Sequence, residues 1–178
     1  PNDGKTITAY NAFGETIEST DANGNVFNYQ YDLGGRIVKK IEAEGETLYE
    51  YDKGLNAVGK ISRIISYNSA EEIKYDNLGR EKEQIITLFG ENYKFESSYD
   101  SYGRLSSINY PSDLAILYRY NENGYLSEIV NQNNDSTLYG IISRTARNDI
   151  TTESLGSKLL KSYDYDPETG WKTNIRAT

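Results

Sequence analysis

The sequence predicts an all-β fold, an array of antiparallel β-hairpin repeats, on three observations. A turn signature of the form Tyr-Asp-x-x-Gly, in three copies followed by a basic and then an aliphatic residue, recurs along the 178 residues. Tyrosines flank it with the two-residue period of a strand. No stretch carries the long 3.6-residue apolar period of an amphipathic helix.

Taken in order, the signature appears as YNAFGET at Tyr10, YDLGGRI at Tyr31, YDNLGRE at Tyr75, YDSYGRL at Tyr99, YNENGYL at Tyr120 and YDPETGW at Tyr165, with a divergent copy at Tyr51. Successive tyrosines lie 20 to 24 residues apart, except for a final gap of 45, about two periods. A period of that size marks supersecondary units that bury an apolar face only by stacking on their neighbours. Within each signature Asp suits the first position of a type I turn and Gly the position where φ turns positive. Asp32 with Gly35, Asp76 with Gly79 and Asp100 with Gly103 should therefore each reverse the chain.

Strand periodicity fills the intervals. Phe27, Tyr29 and Tyr31 share one face against Val26, Asn28 and Gln30, and Ile37, Lys39 and Ile41 continue beyond the turn. Tyr49/Tyr51, Tyr118/Tyr120 and Tyr163/Tyr165 repeat the spacing, which points to tyrosine ladders on one sheet face. After Asp52, extra residues before Gly59 imply a longer loop. Second turns fall at Asn23-Gly24, read as a type I′ turn with both residues at positive φ, at residues 43–46, at residues 89–91 and in the polar run 131–135. SAEEIKY runs straight into a signature and TESLGSKLL has a central glycine, so neither reads as helix. The expectation is one array over residues 1–178, about eight units of 20 to 24 residues. The chain starts without Met and breaks off at Ala177-Thr178, so it is expected to be a piece of a longer protein.

Composition narrows the function. Seventeen tyrosines against four phenylalanines, with 37% hydrophobic residues, imply thin cores built from amphipathic rings. A net charge of −8 argues against nucleic acid and anionic membranes. No apolar run reaches the roughly 18 residues of a span, and PNDGKT lacks the parts of a signal peptide. With no Cys and no His, disulfides, thiolate or imidazole metal sites and Ser-His-Asp or Cys-His nucleophiles are excluded from this segment.

Four features were weighed as sites. DANGNVFNYQYD, residues 21–32, has oxygen ligands at four places of a calcium loop but Val26 where the loop needs glycine, so a hairpin turn is the better reading. The carboxylate pairs Glu71/Glu72 and Asp164/Asp166 stand without any accompanying catalytic signal. Arg36, Arg80 and Arg104 follow the turn glycines and are expected to pair with turn carboxylates rather than form a basic stripe. The tyrosine faces either stack on sugar rings or, as favoured here, are buried between stacked sheets.

The recurrent Y-D-x-x-G-R-[LI] resembles the YD repeats of the RHS family, found in bacterial RHS polymorphic toxins, wall-associated proteins, the B and C components of Tc toxin complexes and teneurins. Residues 142–175, with Arg144-Thr145, Leu155-Gly156 and the run from Tyr165 to Gly170, look like a further repeat and account for part of the long gap. The resemblance carries over to Tyr31, Asp32, Gly35 and Arg36; to Tyr51 and Asp52; to Tyr75, Asp76, Gly79 and Arg80; to Tyr99, Asp100, Gly103 and Arg104; to Tyr120 and Gly124; and to Tyr165, Asp166 and Gly170, all as structural repeat residues. It implies a curved, twisted sheet forming part of a spiral β-shell around a C-terminal toxin domain, a bacterial protein that is secreted or on the cell surface, and no enzyme activity or cofactor. Implied partners are the remaining repeats and the toxin domain, with a cell-surface glycan or protein bound through a tyrosine-rich face as the alternative. The array ends should associate edge to edge or be covered by segments such as residues 1–6.

Overall fold

The computed structural model describes residues 4–178; the first three positions of the expected cover 1–6 lie outside the described residues. Among the described residues sixteen strands follow one another in chain order as antiparallel neighbours, and there is no helix. The all-β hairpin reading therefore holds. The chain divides into two compact units, Pro1–Lys94 and Phe95–Thr178.

The first unit holds β1 (Ile7–Tyr10), β2 (Thr16–Thr20), β3 (Val26–Tyr31), β4 (Ile37–Glu42), β5 (Gly45–Tyr51), β6 (Ile61–Ile65), β7 (Ser69–Tyr75), β8 (Glu81–Leu88) and the start of β9 (Glu91–Tyr99). The second holds the rest of β9, then β10 (Leu105–Asn109), β11 (Ala115–Tyr120), β12 (Leu126–Asn131), β13 (Ser136–Arg144), β14 (Ile150–Leu155), β15 (Leu159–Tyr165) and β16 (Lys172–Ala177).

Each signature ends an odd-numbered strand, and all but the Tyr51 and Tyr165 copies are closed by the same turn. In the 32–36 turn the Asp32 amide donates to the Arg36 carbonyl (2.9 Å) and the Gly35 amide to the Asp32 carbonyl (3.1 Å). Gly35 alone of these residues takes positive φ, at 76°, which is a type I turn closed by a glycine bulge. The extra residue shifts the register between Gln30 and Tyr31, so that Tyr31 pairs with Ile37. The same shift pairs Tyr10 with Thr16, Tyr51 with Ile61, Tyr75 with Glu81 and Tyr120 with Leu126.

One turn differs from expectation. At Asn23-Gly24 only Gly24 has positive φ, so the type I′ reading is wrong. Asp21 instead brackets the turn, accepting from the amides of Asn23 (2.8 Å) and Asn25 (2.9 Å), and makes it another copy of the signature turn. The type I′ geometry lies at Phe89 (φ 50°) and Gly90 (φ 89°), a two-residue link between β8 and β9. The Asp52 loop is long, as its extra residues imply, and tucks Ala57 inward to 1% exposure.

Within each unit, among the described residues, no second sheet stacks over the tyrosines as expected. Among the described residues, the buried side chains are Ala57 and Ser62 in the first unit and Val130 in the second. Strand residues are instead mostly half-buried by neighbours in the same sheet. Low aliphatic content explains the outcome, because too few Leu, Ile and Val are available to fill a second interface.

Candidate functional site

The repeated element is a junction between consecutive hairpins, built first from the turn carboxylate. Asp32 Oδ1 accepts from the amides of Gly34 (2.8 Å) and Arg36 (3.0 Å), while Oδ2 takes the Arg36 guanidinium through Nε (2.8 Å) and Nη2 (2.7 Å). Asp76 with Leu78 and Arg80, and Asp100 with Tyr102 and Arg104, repeat all four contacts. Amide and guanidinium donors favour the charged carboxylate. The Arg36 amide and side chain hold Asp32 below the usual carboxylate range. At Asp76 and Asp100 burial pushes upward, but the same donors outweigh it and the net shift is down.

Other copies vary the chemistry and keep the bracket. Asn121 Oδ1 accepts from the amides of Asn123 and Tyr125 beside Gly124, and Thr145 Oγ1 from those of Arg147 and Asp149. Asp166 accepts from Glu168 and Thr169 in a turn one residue longer, where the Gly170 amide reaches the Asp166 carbonyl at 2.8 Å.

From this turn the next hairpin is held by the signature tyrosine. Tyr31 donates its hydroxyl to the Thr16 carbonyl (2.7 Å), Tyr51 to Ile37 (2.9 Å), Tyr75 to Ile61 (2.6 Å), Tyr120 to Leu105 (2.8 Å) and Tyr165 to Ile150 (2.8 Å). Each acceptor is the residue that pairs with the signature residue of the hairpin before. Tyr99 takes the same position in its own hairpin, pairing with Leu105. Burial raises the hydroxyl pKa of Tyr31, Tyr51, Tyr75 and Tyr165.

The side chain after the turn glycine completes the junction by lying over the next tyrosine. The Arg36 guanidinium sits 4.4 Å from the Tyr51 ring centre, Arg104 4.1 Å from Tyr120 and Lys60 Nζ 5.1 Å from Tyr75. Arg36 also bridges to Asp52 of the following turn at 2.8 Å. A Cβ on Gly79 would meet Lys60 Cε at 3.2 Å, and one on Gly124 would meet Arg104 Nη1 at 3.3 Å. These glycines thus serve both the positive φ and the passage of the neighbouring side chain.

Arg144, legible as part of the repeat over residues 142–175, was not legible as the equivalent of a signature tyrosine. It pairs with Ile150 as a signature tyrosine would, donates through Nη2 to the Leu126 carbonyl (3.2 Å) and stands 24 residues after Tyr120. It occupies the tyrosine position in the middle of the 45-residue gap. Asn148, at φ 72°, takes the glycine position of its turn.

The remaining candidates resolve into structure. No group of three or more metal-ligating side chains occurs among the described residues, and Asp21 is spent on its own turn. Glu71 accepts from Gln84, Glu72 faces Arg63, Asp164 pairs with Arg176 and Asp166 caps its turn, so neither carboxylate pair converges. One cluster had no sequence signal: Glu153 accepts from Tyr139 (2.7 Å) and Tyr163 (2.5 Å). Burial and that carboxylate push Tyr139 up to about 12.

The RHS Repeat family model matches residues 10–47, from the end of β1 into β5. No curated protein matches the chain. Crystal structures of TcdB2-TccC3, with and without its hypervariable C-terminal region, superpose on it with TM-score 0.81 at 16% identity. A Tc holotoxin pore of Photorhabdus luminescens does so with TM-score 0.79 at 17% identity. Each match covers 99% of this chain and 10% of the matched chain. At such identity the likeness is one of fold. Residues 10–47 thus match an RHS repeat, and the fold of these Tc toxin chains extends over nearly the whole of this chain.

Proposed function

We propose that the chain is a non-enzymatic wall segment, a single array of about eight hairpin units within a longer, secreted bacterial RHS protein. In this reading its sheet forms part of a shell around a C-terminal toxin domain. The tyrosine junction is the observation that carries the proposal: signature tyrosines, turn carboxylates and turn arginines hold hairpin to hairpin, and little of their chemistry remains for a substrate. Their residues, Tyr31 to Arg36 and the later copies, are structural repeat residues on this reading.

Exposed apolar side chains at the signature turns add support. Phe13, Leu33 and Leu78 in the first unit, and Tyr102 and Trp171 in the second, are each at least 72% exposed. A rim of this kind suits contact with further parts of a parent chain. The adhesion alternative through the signature tyrosines draws less support, because Tyr31, Tyr51, Tyr75, Tyr120 and Tyr165 already donate within the sheet.

The test is limited proteolysis of the full parent protein, whose coding region is read outward from this segment. A walled C-terminal domain should resist protease while the array is folded and become cleavable when tyrosine junctions are removed. Cleavage at the rate of the isolated C-terminal domain, with the array intact, would defeat the proposal. So would a parent with no domain beyond the repeats.

A further inference from the structure

The junction between the Asn121 and Thr145 turns inverts the arrangement found elsewhere. At Arg36–Tyr51 and Arg104–Tyr120 the cation follows the turn and the ring belongs to the next hairpin. Here the ring, Tyr125, follows the turn and the cation, Arg144, belongs to the next hairpin, 5.8 Å from the ring centre. The inversion places a cation where the other junctions place a phenol.

That cation, like Arg147, has no carboxylate within 4 Å among the described residues. Arg36, Arg63, Arg104, Arg119 and Arg176 each lie within 4 Å of a carboxylate, and Arg80 does so with Asp76. Arg144 spends two donors on backbone carbonyls, Leu126 and Asn148, and among the described residues meets no carboxylate, in a chain with 27 acidic residues. It lines a cleft of about 410 Å³ between the two turns. Tyr125 stands 46% exposed at its wall. The other polar walls are neutral: the amides of Asn121, Asn123 and Asn148 and the hydroxyls of Ser127, Ser143 and Thr145.

A comparable cleft of about 410 Å³ lies between the Asn11 and Asp32 turns, but Glu15 and Asp32 line it. It has the room without the charge. The two clefts therefore differ in chemistry more than in size.

We propose that the cleft between the Asn121 and Thr145 turns binds a sugar carrying a carboxylate. Arg144 takes the carboxylate through its remaining N–H donors, Tyr125 offers a ring face to the sugar C–H groups, and the asparagine amides and Ser143 meet its hydroxyls. The wall-segment reading is neither required nor excluded by this site, since Tyr125 is not a signature tyrosine.

The test is titration of the 178-residue chain with D-glucuronate, D-glucose and acetate, followed in ¹H–¹⁵N spectra that include arginine Nε–H signals. Glucuronate should shift signals of residues 121–127 and 141–148 with Kd on the order of 1 mM, and glucose should bind about tenfold or more weaker. Signals of residues 11–17 should not move. Arg144→Tyr restores the residue type found at the other junctions and should abolish the glucuronate response. Asn123→Asp, in an exposed turn, should weaken it about tenfold by placing a like charge in the cleft, and keeps the test decisive if Arg144→Tyr fails to fold. Acetate binding as tightly as glucuronate, glucose binding as tightly as glucuronate, an unchanged response in Arg144→Tyr or in Asn123→Asp, or no response at about 50 mM ligand would each overturn the proposal.

Discussion

Replacing Tyr75 by Phe isolates the energy of one junction. The hydroxyl donates to the Ile61 carbonyl at 2.6 Å, and its loss leaves that carbonyl without its donor at a half-buried site. A net hydrogen bond is worth about 0.5–1.5 kcal/mol, and partial access of water places this one toward the lower half, about 0.5–1 kcal/mol. Tyr75→Ala also removes a half-buried ring, about 100 Å² at about 25 cal/mol per Å², and its cation contact with Lys60, for a total of about 3.5–4.5 kcal/mol. In urea unfolding followed by circular dichroism, with a slope of about 2 kcal/mol/M, Tyr75→Phe should lower the midpoint by about 0.3–0.5 M. Tyr67→Phe is the control, because that ring is 82% exposed. If Tyr75→Phe leaves the midpoint where Tyr67→Phe leaves it, the hydroxyl does not hold the hairpins together. If it costs as much as Tyr75→Ala, the ring contributes nothing and the packing argument fails.

Stability should fall at both ends of the pH scale. The folded pKa values of Asp32, Asp76 and Asp100 lie below their unfolded values, so their contribution is full above about pH 4 and disappears as pH falls through the folded values. Those of Tyr31, Tyr51, Tyr75 and Tyr139 are raised, so their contribution is full below about pH 10 and disappears as pH climbs through the folded values; ultraviolet titration of phenolate should show tyrosines ionising late, together with unfolding. Gly79→Ala should cost about 1–2 kcal/mol in chemical denaturation because φ is +74°, and Gly79→Asn clearly less; equal costs would place the penalty on contact with Lys60 instead. Phe89→Asn should raise stability by about 0.5–1 kcal/mol, read as a higher Tm, since an exposed phenylalanine at φ +50° occupies a turn position that asparagine prefers; a lowered Tm would count against backbone strain there. Shortening the 32–36 turn by one residue should turn the Ile37 carbonyl away from Tyr51, so that Tyr51→Phe costs nothing further in that background; an undiminished cost in a double-mutant cycle would contradict it.

What could be read from sequence was what is local. An Asp followed three residues later by Gly specifies its own turn, because the carboxylate reaches only the next few amides and glycine alone takes positive φ freely. The turns at Asp32, Asp76 and Asp100 were legible for that reason. Asn23-Gly24 was misread by the same logic applied to too short a window, since Asp21 lies three residues before Gly24 and brackets the turn. Phe89 gave no turn signal of its own, because its conformation is imposed by the strands on either side. The acceptors of the tyrosine hydroxyls are backbone carbonyls 14 or 15 residues away, and backbone leaves no mark on side-chain pattern. Arg144 was hidden because its likeness to tyrosine is one of reach and donation, which residue identity does not reveal.

The junction also explains how a sheet with almost no buried side chains can hold its register. Antiparallel ladders in a one-layer sheet are weakly specified, since a slip of one residue exchanges faces that differ little in burial. Here the acceptor carbonyl belongs to the residue that pairs with the preceding signature residue across a bulge, as Ile37 pairs with Tyr31 and accepts from Tyr51. A slip in one hairpin would therefore remove the acceptor for the next, and an error costs two contacts where a free ladder would lose none. Coupling of this kind runs only between neighbours, which suits a fold extended by repetition. It also sets what a junction must keep: a donor long enough to reach the carbonyl and a side chain that can lie across the next turn. Tyr and Arg exchange places between the Arg104–Tyr120 and Tyr125–Arg144 junctions because each can meet both demands, and the exchange then leaves a guanidinium held only by backbone carbonyls where the other junctions place a phenol.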